Sequence, residues 1–324
     1  MTTQCRALWL VGEGRAEMKA EPLPAAGDGG DVTVESRFGA ISRGTEALVA
    51  AGRVPEAEAD RMRAPLQEGD FPFPVKYGYA TVGRVTDGPE ALQGRDVFSL
   101  HPHQDLFRVS ADMAIPLPEG VPPERAVLGA NMETALNVVW DAGIAPGDRV
   151  AVIGGGLVGA LVATLAARIP ASETVLVDVN PDRAAIAAAL GCGFALPDAA
   201  PCGCDIVINA SASEEGLATA IAAAGFEARI VELSWYGDRS VTVPLGGAFH
   251  SQRLSIVGSQ VGSIPPGRRA RWDNRRRLET ALRLLADPRL DALISGETRF
   301  ADLPQHYAAI LSDPGTLCHR IRYD

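Results

Sequence analysis

The sequence is short of cysteine, of long apolar runs and of positive charge. Its five cysteines, Cys5, Cys192, Cys202, Cys204 and Cys318, are odd in number and scattered, which argues against a disulfide framework and suits a reducing compartment. Cys202-Gly203-Cys204 has no second pair and no neighbouring histidine to complete four metal ligands, and reads as a loop turn. No stretch reaches the roughly 20 apolar residues that cross a bilayer. The opening MTTQCRALWLVGEGRAE has no apolar core long enough for a secretory signal and meets acidic residues early. Lysine and arginine total 30 against 40 aspartates and glutamates, a net charge of −10, whose field repels nucleic acid and anionic membranes. A cytoplasmic protein with no membrane span and no nucleic-acid partner is expected. The one basic run, Arg268 to Arg277, is interrupted by Trp272 and Asp273; it reads as a solvated helix face or domain contact, with anion binding as the rival account.

What remains is ordinary globular material: 324 residues, 47% hydrophobic and 22% charged, long enough for two domains. Up to about Pro118, short β-rich runs such as DVTVESRFGAIS and YATVGRVTD alternate with turn signals. From Pro122 the texture changes, and alanine-, leucine- and valine-rich helical segments alternate with strands that are apolar throughout: DRVAVI, TVLVDVN, CDIVINAS, ARIVELSW and LSIVGSQ. Such strands, each followed by a helix, predict a parallel sheet covered on both faces. The expected fold class is α/β, a doubly wound Rossmann sheet over 131–262 inserted into a β-rich domain made of 1–130 and 263–324.

The strand Arg149–Ile153 runs into Gly154-Gly155-Gly156-Leu157-Val158-Gly159 and then a helix. In that setting Gly154 permits the tight turn, Gly156 lets backbone approach a pyrophosphate, and Gly159 allows close helix–strand packing. The helix N-terminus at Leu157 and Val158 offers N–H groups to the phosphates. About twenty residues on, Asp178 closes the second strand, where a carboxylate accepts from the adenosine ribose and repels the extra phosphate of NADP. NAD is therefore the expected cofactor and NADP the less favoured one, with Arg183 close enough to soften the choice. Asn209-Ala210-Ser211, Leu233-Ser234-Trp235 and Ser259-Gln260 end later strands at the same carboxyl edge, which makes Ala210 and Ser259 further cofactor candidates. Trp235 and Tyr236 read either as a platform for a flat substrate or as packing.

At this point the sequence resembles the medium-chain dehydrogenase/reductase superfamily over nearly its whole length. The resemblance is carried by Ala145-Pro146-Gly147-Asp148-Arg149-Val150 before the glycines, Asp178-Val179-Asn180-Pro181 after the second strand, and Pro116-Leu117-Pro118-Glu119-Gly120-Val121 ahead of the Rossmann segment. It implies a GroES-like substrate domain assembled from both chain ends, a cleft between domains, a small-molecule substrate and a homodimer formed through the Rossmann sheet. Ile41-Ser42-Arg43-Gly44-Thr45-Glu46 and Gly129-Ala130-Asn131-Met132-Glu133-Thr134-Ala135 look like a zinc-lacking branch near bacteriochlorophyllide-type hydroxyethyl dehydrogenases.

The resemblance also locates where a catalytic zinc would sit. Its first ligand position holds Ser42 or Arg43, its second Tyr79 and its third falls near Ala130-Asn131, while Phe98 to Phe107 crosses the structural-zinc lobe without a cysteine. Zinc prefers thiolate or imidazole, so no metal site and no catalytic zinc are expected. Hydrogen-bond donors must then stabilise the alkoxide that forms during hydride transfer. The candidates are Ser42, Arg43, Thr45, Tyr79, His101 and His103, with Thr45 matching the hydroxyl that relays the substrate proton in the family and Glu46 the carboxylate that follows it there and supports the site from behind. Tyr79 is either such a donor or a structural filler. His101 and His103 titrate near neutral pH when unperturbed, or they sit in a surface loop. Asn131 and Glu133 open the first Rossmann-side helix, beside the nicotinamide by resemblance, though Glu133 also reads as a carboxylate favoured by the helix dipole.

The expected function is zinc-independent, NAD-dependent hydride transfer between an alcohol and a carbonyl. Quinone oxidoreductase-like enone reduction is an alternative chemistry, and a non-catalytic dinucleotide-binding protein is the non-enzymatic one.

Overall fold

The structure is a computed structural model that describes residues 3–27 and 30–324. The chain forms two compact units, 1–130 with 282–324, and 131–281. In the first unit the strands are β1 (Gln4–Gly12), β2 (Arg15–Pro22), β3 (Asp31–Ile41), β4 (Glu68–Gly69), β5 (Val75–Lys76), β6 (Thr81–Asp87), β7 (Asp96–Ser99), β8 (Leu106–Ser110) and β9 (Ile115–Pro116). Helix α1 (Arg43–Ala50) follows β3, and the short α2 (Pro123–Ala126) follows β9. The alternation read from the sequence is visible in β1, where Cys5, Ala7, Leu8 and Leu10 are buried and Gln4 and Arg6 are exposed, as a half-buried strand requires.

The second unit opens with the bulk of α3 (Gly129–Ala142) and continues through β10 (Arg149–Ile153), α4 (Leu157–Ala166), β11 (Glu173–Val177), α5 (Arg183–Leu190), β12 (Gly193–Ala195), β13 (Cys204–Asn209), α6 (Glu214–Ala223), β14 (Ala224–Glu232) and β15 (Ser255–Gly258), with α7 (Asn274–Leu284) at its end. Its six strands are all parallel, in the order β12-β11-β10-β13-β14-β15. That is the doubly wound order, with its topological switch between β10 and β13. Ile153, Val177, Val207 and Ile230 pack in one apolar cluster with Ala220 and Ile221 of α6, which explains why these strands read as unbroken hydrophobic runs.

The chain then adds β16 (Ile294–Arg299), α8 (Leu303–Ser312) and β17 (Cys318–Arg322) to the first unit. β17 pairs antiparallel with β3, completing a sheet ordered β16-β17-β3-β6-β7-β9 with β8 on β3; a second sheet is ordered β2-β1-β5-β4. Leu8, Leu10, Ile41, Val49, Val75, Phe300, Tyr307 and Ile321 share one core, so the last forty residues are built into the N-terminal domain. The return falls later than the expected residue 263. The reason is Arg277 on α7, which is 2% exposed and donates to Glu133 Oε1 at 3.0 Å and Asn137 Oδ1 at 2.6 Å on α3, and to the Val261 carbonyl at 2.5 Å. One guanidinium of the basic run thus makes a packing contact, anchoring its helix within the Rossmann unit. Among the described residues no helix is long and apolar enough to cross a membrane.

Candidate active site

In the second unit β10 delivers the chain into the glycine turn. Gly154 has φ +102°, and a Cβ there would stand 2.7 Å from the Ala210 carbonyl carbon. A Cβ on Gly159 would lie 1.9 Å from the Gly154 oxygen, so α4 can approach the strand this closely only with glycine. Gly156 differs: it is the N-cap of α4 with φ −69° and ψ 179°, and a Cβ there would meet nothing within 4 Å. No side chain caps the first turn of α4 at Leu157 and Val158. A glycine with open space in front of it, at a helix N-terminus with unspent N–H groups, fits a pyrophosphate.

Asp178, just past β11, reaches back to this turn. Its Oδ2 accepts from the Gly155 N–H at 2.6 Å and its Oδ1 from the Asn180 N–H at 2.7 Å. Each oxygen keeps a lone pair for a ribose hydroxyl. Arg183 is buried with its Cγ 3.2 Å from where a Gly155 Cβ would be, and the Ala210 N–H donates to the Ile153 carbonyl at 2.7 Å. Gly154, Gly156, Leu157, Val158, Gly159, Asp178, Arg183 and Ala210 are therefore gathered at the carboxyl ends of β10, β11 and β13. Ser259 follows β15 at the same edge of the sheet, its N–H donating to the Glu232 carbonyl at 2.9 Å and its hydroxyl to Asp141 Oδ2 of α3 at 2.6 Å.

The carboxyl ends of β13 and β14 carry a network that the sequence reading caught only in part. Asn209 Nδ2 donates to Glu232 Oε2 at 2.6 Å, the Ser234 N–H to Glu232 Oε1 at 2.8 Å, and the Tyr236 hydroxyl to Glu232 Oε2 at 3.2 Å. Burial and the neighbouring Glu232 push the Tyr236 phenol up to about 12. Glu232 was not singled out, because a lone glutamate at a strand end carries no motif. Glu133, read either as a residue beside the nicotinamide or as a helix-dipole carboxylate, is a buried partner of Arg277; burial raises its pKa against the pull of that guanidinium.

In the first unit the expected donors converge. The Tyr79 hydroxyl hydrogen-bonds Ser42 and Thr45; burial raises the phenol to about 12, although both contacts pull it down. Ser42 precedes α1, and its N–H donates to Glu46 Oε1 at 2.7 Å. Glu46 is 0% exposed and also accepts from the His103 ring at 2.9 Å and from the Tyr307 hydroxyl at 2.6 Å, both on Oε2. Burial alone would raise Glu46, but His103 and these hydrogen bonds hold it below the ordinary carboxylate value. Tyr307, on α8, had no signal in the sequence; only the fold brings it here. Arg43 opens α1, and among the described residues no hydrogen bond joins it to this cluster.

His101 and His103 are not a surface loop. The His103 N–H donates to the Tyr77 carbonyl and its own carbonyl accepts from Leu8, which draws the segment inside. A Cβ on Gly78, at φ +116°, would stand 2.8 Å from the His103 ring, so that glycine makes room for the imidazole. His101 stacks on Phe107 with ring centres 3.9 Å apart and an 18° tilt. Its Nδ1 donates to the Pro102 carbonyl at 2.9 Å, and burial drives its pKa down to about 3. It is a neutral core residue. Among the described residues no group of three or more histidine, cysteine, aspartate or glutamate side chains is arranged to hold a metal ion.

No protein-family model matches the chain. The D-guloside 3-dehydrogenase of Escherichia coli K12 is 26% identical over 308 residues, 86% of this chain and 88% of that protein. Among solved structures, the L-idonate 5-dehydrogenase of Escherichia coli K-12 superposes with a TM-score of 0.79 at 14% identity over 99% of each chain. An alcohol dehydrogenase from Escherichia coli CFT073, complexed with NADH, superposes with a TM-score of 0.77 at 16% identity, again over 99% of each chain. The fold is that of the medium-chain dehydrogenase/reductases, a Rossmann unit set into a GroES-like one, as the motifs implied.

Proposed function

We propose that the chain is an NAD-dependent oxidoreductase that moves a hydride between nicotinamide and an alcohol or carbonyl carbon without zinc. The carrying observation is the Tyr79 phenol, kept protonated by its surroundings and held by Ser42 and Thr45 at the position where the resemblance places a metal ligand. The Rossmann unit holds the dinucleotide through Gly154, Gly156, Gly159 and the first turn of α4, with Asp178 on the adenosine ribose. Bound nicotinamide supplies the hydride acceptor or donor. Asp178 favours NAD, because a carboxylate there opposes the 2′-phosphate of NADP.

The residues present do not suit zinc. Hydroxyl, guanidinium, phenol and amide groups occupy the three ligand positions, and zinc prefers thiolate or imidazole. The one imidazole in the cluster, His103, spends Nε2 on Glu46. No step is routed through a metal. As hydride reaches a carbonyl carbon, negative charge builds on its oxygen and needs a donor. Held in place by Ser42 and Thr45, the Tyr79 O–H is the group that donates to that alkoxide and then protonates it. Glu46 holds the Ser42 N–H and so fixes the entry to α1, while His103 and Tyr307 hold Glu46.

The D-guloside 3-dehydrogenase relative makes a sugar hydroxyl the first substrate to try. The chain is further proposed to pair with a second copy along β15, the edge of its parallel sheet, and to work in a reducing compartment, where its free cysteines stay reduced. Calorimetric titration with NADH and NADPH, followed by absorbance assays with glycosides and simple alcohols, tests the reading. Tighter binding of NADH and turnover at a hydroxyl are expected; binding of neither nucleotide ends it.

A further inference from the structure

The first unit contains a cavity of about 540 Å³, within the range of small-molecule sites. None of Ser42, Thr45, Glu46, Tyr79 and His103 lines it. Its polar wall is built around Lys76, whose side chain is 2% exposed and whose ammonium donates to Glu21 Oε2 at 3.0 Å, to Gln104 Oε1 at 2.9 Å and to Glu68. Three donors meet three acceptors, so the lysine is spent as a scaffold that pins two carboxylates and an amide in place. Glu21 is held a second time by the Trp9 indole N–H, and Gln104 Nε2 donates to the Leu106 carbonyl at 2.7 Å.

Other lining groups have hydrogen-bonding capacity left. Gln67 is 8% exposed; its Oε1 accepts from the Ala64 N–H at 3.2 Å, but its Nε2 meets no acceptor. A buried amide with two unmade donor bonds is costly unless something else accepts them. His101, with Nδ1 donating to Pro102, keeps Nε2 as an acceptor, and its low pKa keeps it one across the physiological range. Arg108 donates Nε to Thr33 at 3.2 Å and Nη1 to the Pro24 carbonyl at 2.5 Å, leaving Nη2. Glu68 is half-exposed, with a carboxylate oxygen beyond the one that meets Lys76. Phe107, stacked on His101, supplies an apolar face.

We propose that this cavity is a binding site for a small, neutral, polyhydroxylated molecule, a sugar or polyol, separate from the Tyr79 cluster. Charge selects neutrality, since Glu21 and Glu68 balance Lys76 and Arg108. The wall holds both donors and acceptors, Gln67 and Arg108 donating, His101 and Glu68 accepting. Hydroxyl groups, each donor and acceptor at once, satisfy both sets, whereas a carboxylate or phosphate would oppose Glu68 and leave the acceptors unmet.

The test is calorimetric titration of the full chain with sorbitol and myo-inositol, compared with glucose 6-phosphate and succinate. The wild-type protein is expected to bind a polyol saturably and more tightly than either anion. Gln67→Leu should weaken that binding at least tenfold with NADH affinity unchanged. Gln67→Glu, which keeps the acceptor to Ala64 and replaces the N–H donors with a carboxylate oxygen, should do the same, so a folding defect in the first variant does not decide the outcome. Tyr79→Phe should bind the polyol as wild type does. No saturable polyol binding, tighter binding of an anion, or equal weakening by Tyr79→Phe overturns the proposal, and the last places the sugar at the hydride-transfer site instead. NADH binding is read in the same experiment, so failure of the enzymatic reading is seen separately.

Discussion

The Tyr307 hydroxyl donates to Glu46 Oε2 across 2.6 Å although 261 positions separate the two residues. This single bond ties α8, from the end of the chain, to the helix that carries Thr45. Tyr307→Phe removes one of three donors from a carboxylate with no exposure to water. Leaving a charged acceptor short of a partner costs about 1–3 kcal/mol, read as a shift of the urea midpoint at constant slope. The sign of the acid response follows from the pKa. Glu46 is held below the ordinary carboxylate value, so its contribution is present above that value and is lost as pH falls through the lowered one. Tyr307→Phe lets the folded value rise toward the ordinary one, so the variant, less stable at neutral pH, should lose less further stability on acidification than wild type does.

Tyr79→Phe keeps the ring and deletes the donor. If the phenol protonates the nascent alkoxide, kcat should fall about 10²–10³-fold, the range for removing one donor or a positioned acid, while NADH affinity stays at the wild-type value. A fall in nucleotide affinity with kcat preserved would refute the assignment.

Two glycines in one turn should behave oppositely. Gly159→Ala drives a methyl to 1.9 Å from the Gly154 oxygen, so the turn must break, and a melting temperature well below wild type is expected. Gly156→Ala meets nothing within 4 Å and sits at a backbone conformation that alanine adopts. Its melting temperature should match wild type, yet NADH binding should drop at least tenfold, because the methyl occupies the path of the pyrophosphate. Undiminished NADH binding by Gly156→Ala would mean the phosphates lie elsewhere.

Why some of this was legible in the sequence and some not follows from range. The glycine turn, Asp178 and the parallel strands are local patterns of twenty to thirty residues, and backbone geometry dictates them directly. The grouping of Ser42, Thr45 and Tyr79 came through family resemblance, since β3 and β6 bring them together only after pairing. Tyr307 and Arg277 left no trace, because a tyrosine on one amphipathic helix and one arginine among several look alike whether they face water or a buried carboxylate. His101 and His103 were misplaced for a similar reason: Pro102 between polar residues has the texture of a loop, and only the bonds to Tyr77 and Leu8 show the segment turned inward.

Arg277 offers a test of that buried pairing. Arg277→Met strands Glu133 in an apolar setting, and removing one member of a buried pair costs about 3–5 kcal/mol. The double variant Arg277→Met with Glu133→Leu should recover a large part of that loss, since no uncompensated charge remains. Losses that simply add across the two substitutions would show that the ion pair is not the coupling between them.

His101 should set the onset of acid unfolding. Its pKa in the folded chain is lowered from 6.5 to about 3, burial being the main cause. A group depressed in this way adds stability that is complete above about pH 6.5 and is lost as pH falls toward 3, because the unfolded chain binds the proton first. The full span is worth at most about 5 kcal/mol. Neither Glu46 nor the surface carboxylates act in the upper half of this window, as their protonation lies lower, so the decline between pH 6.5 and 5 belongs to histidine. His101→Phe, which preserves the stack on Phe107 and cannot be protonated, should give a urea midpoint that falls less steeply across that interval than wild type, the remaining slope coming from His319, which burial also lowers. A slope as steep as that of the wild type would assign the acid response to another histidine.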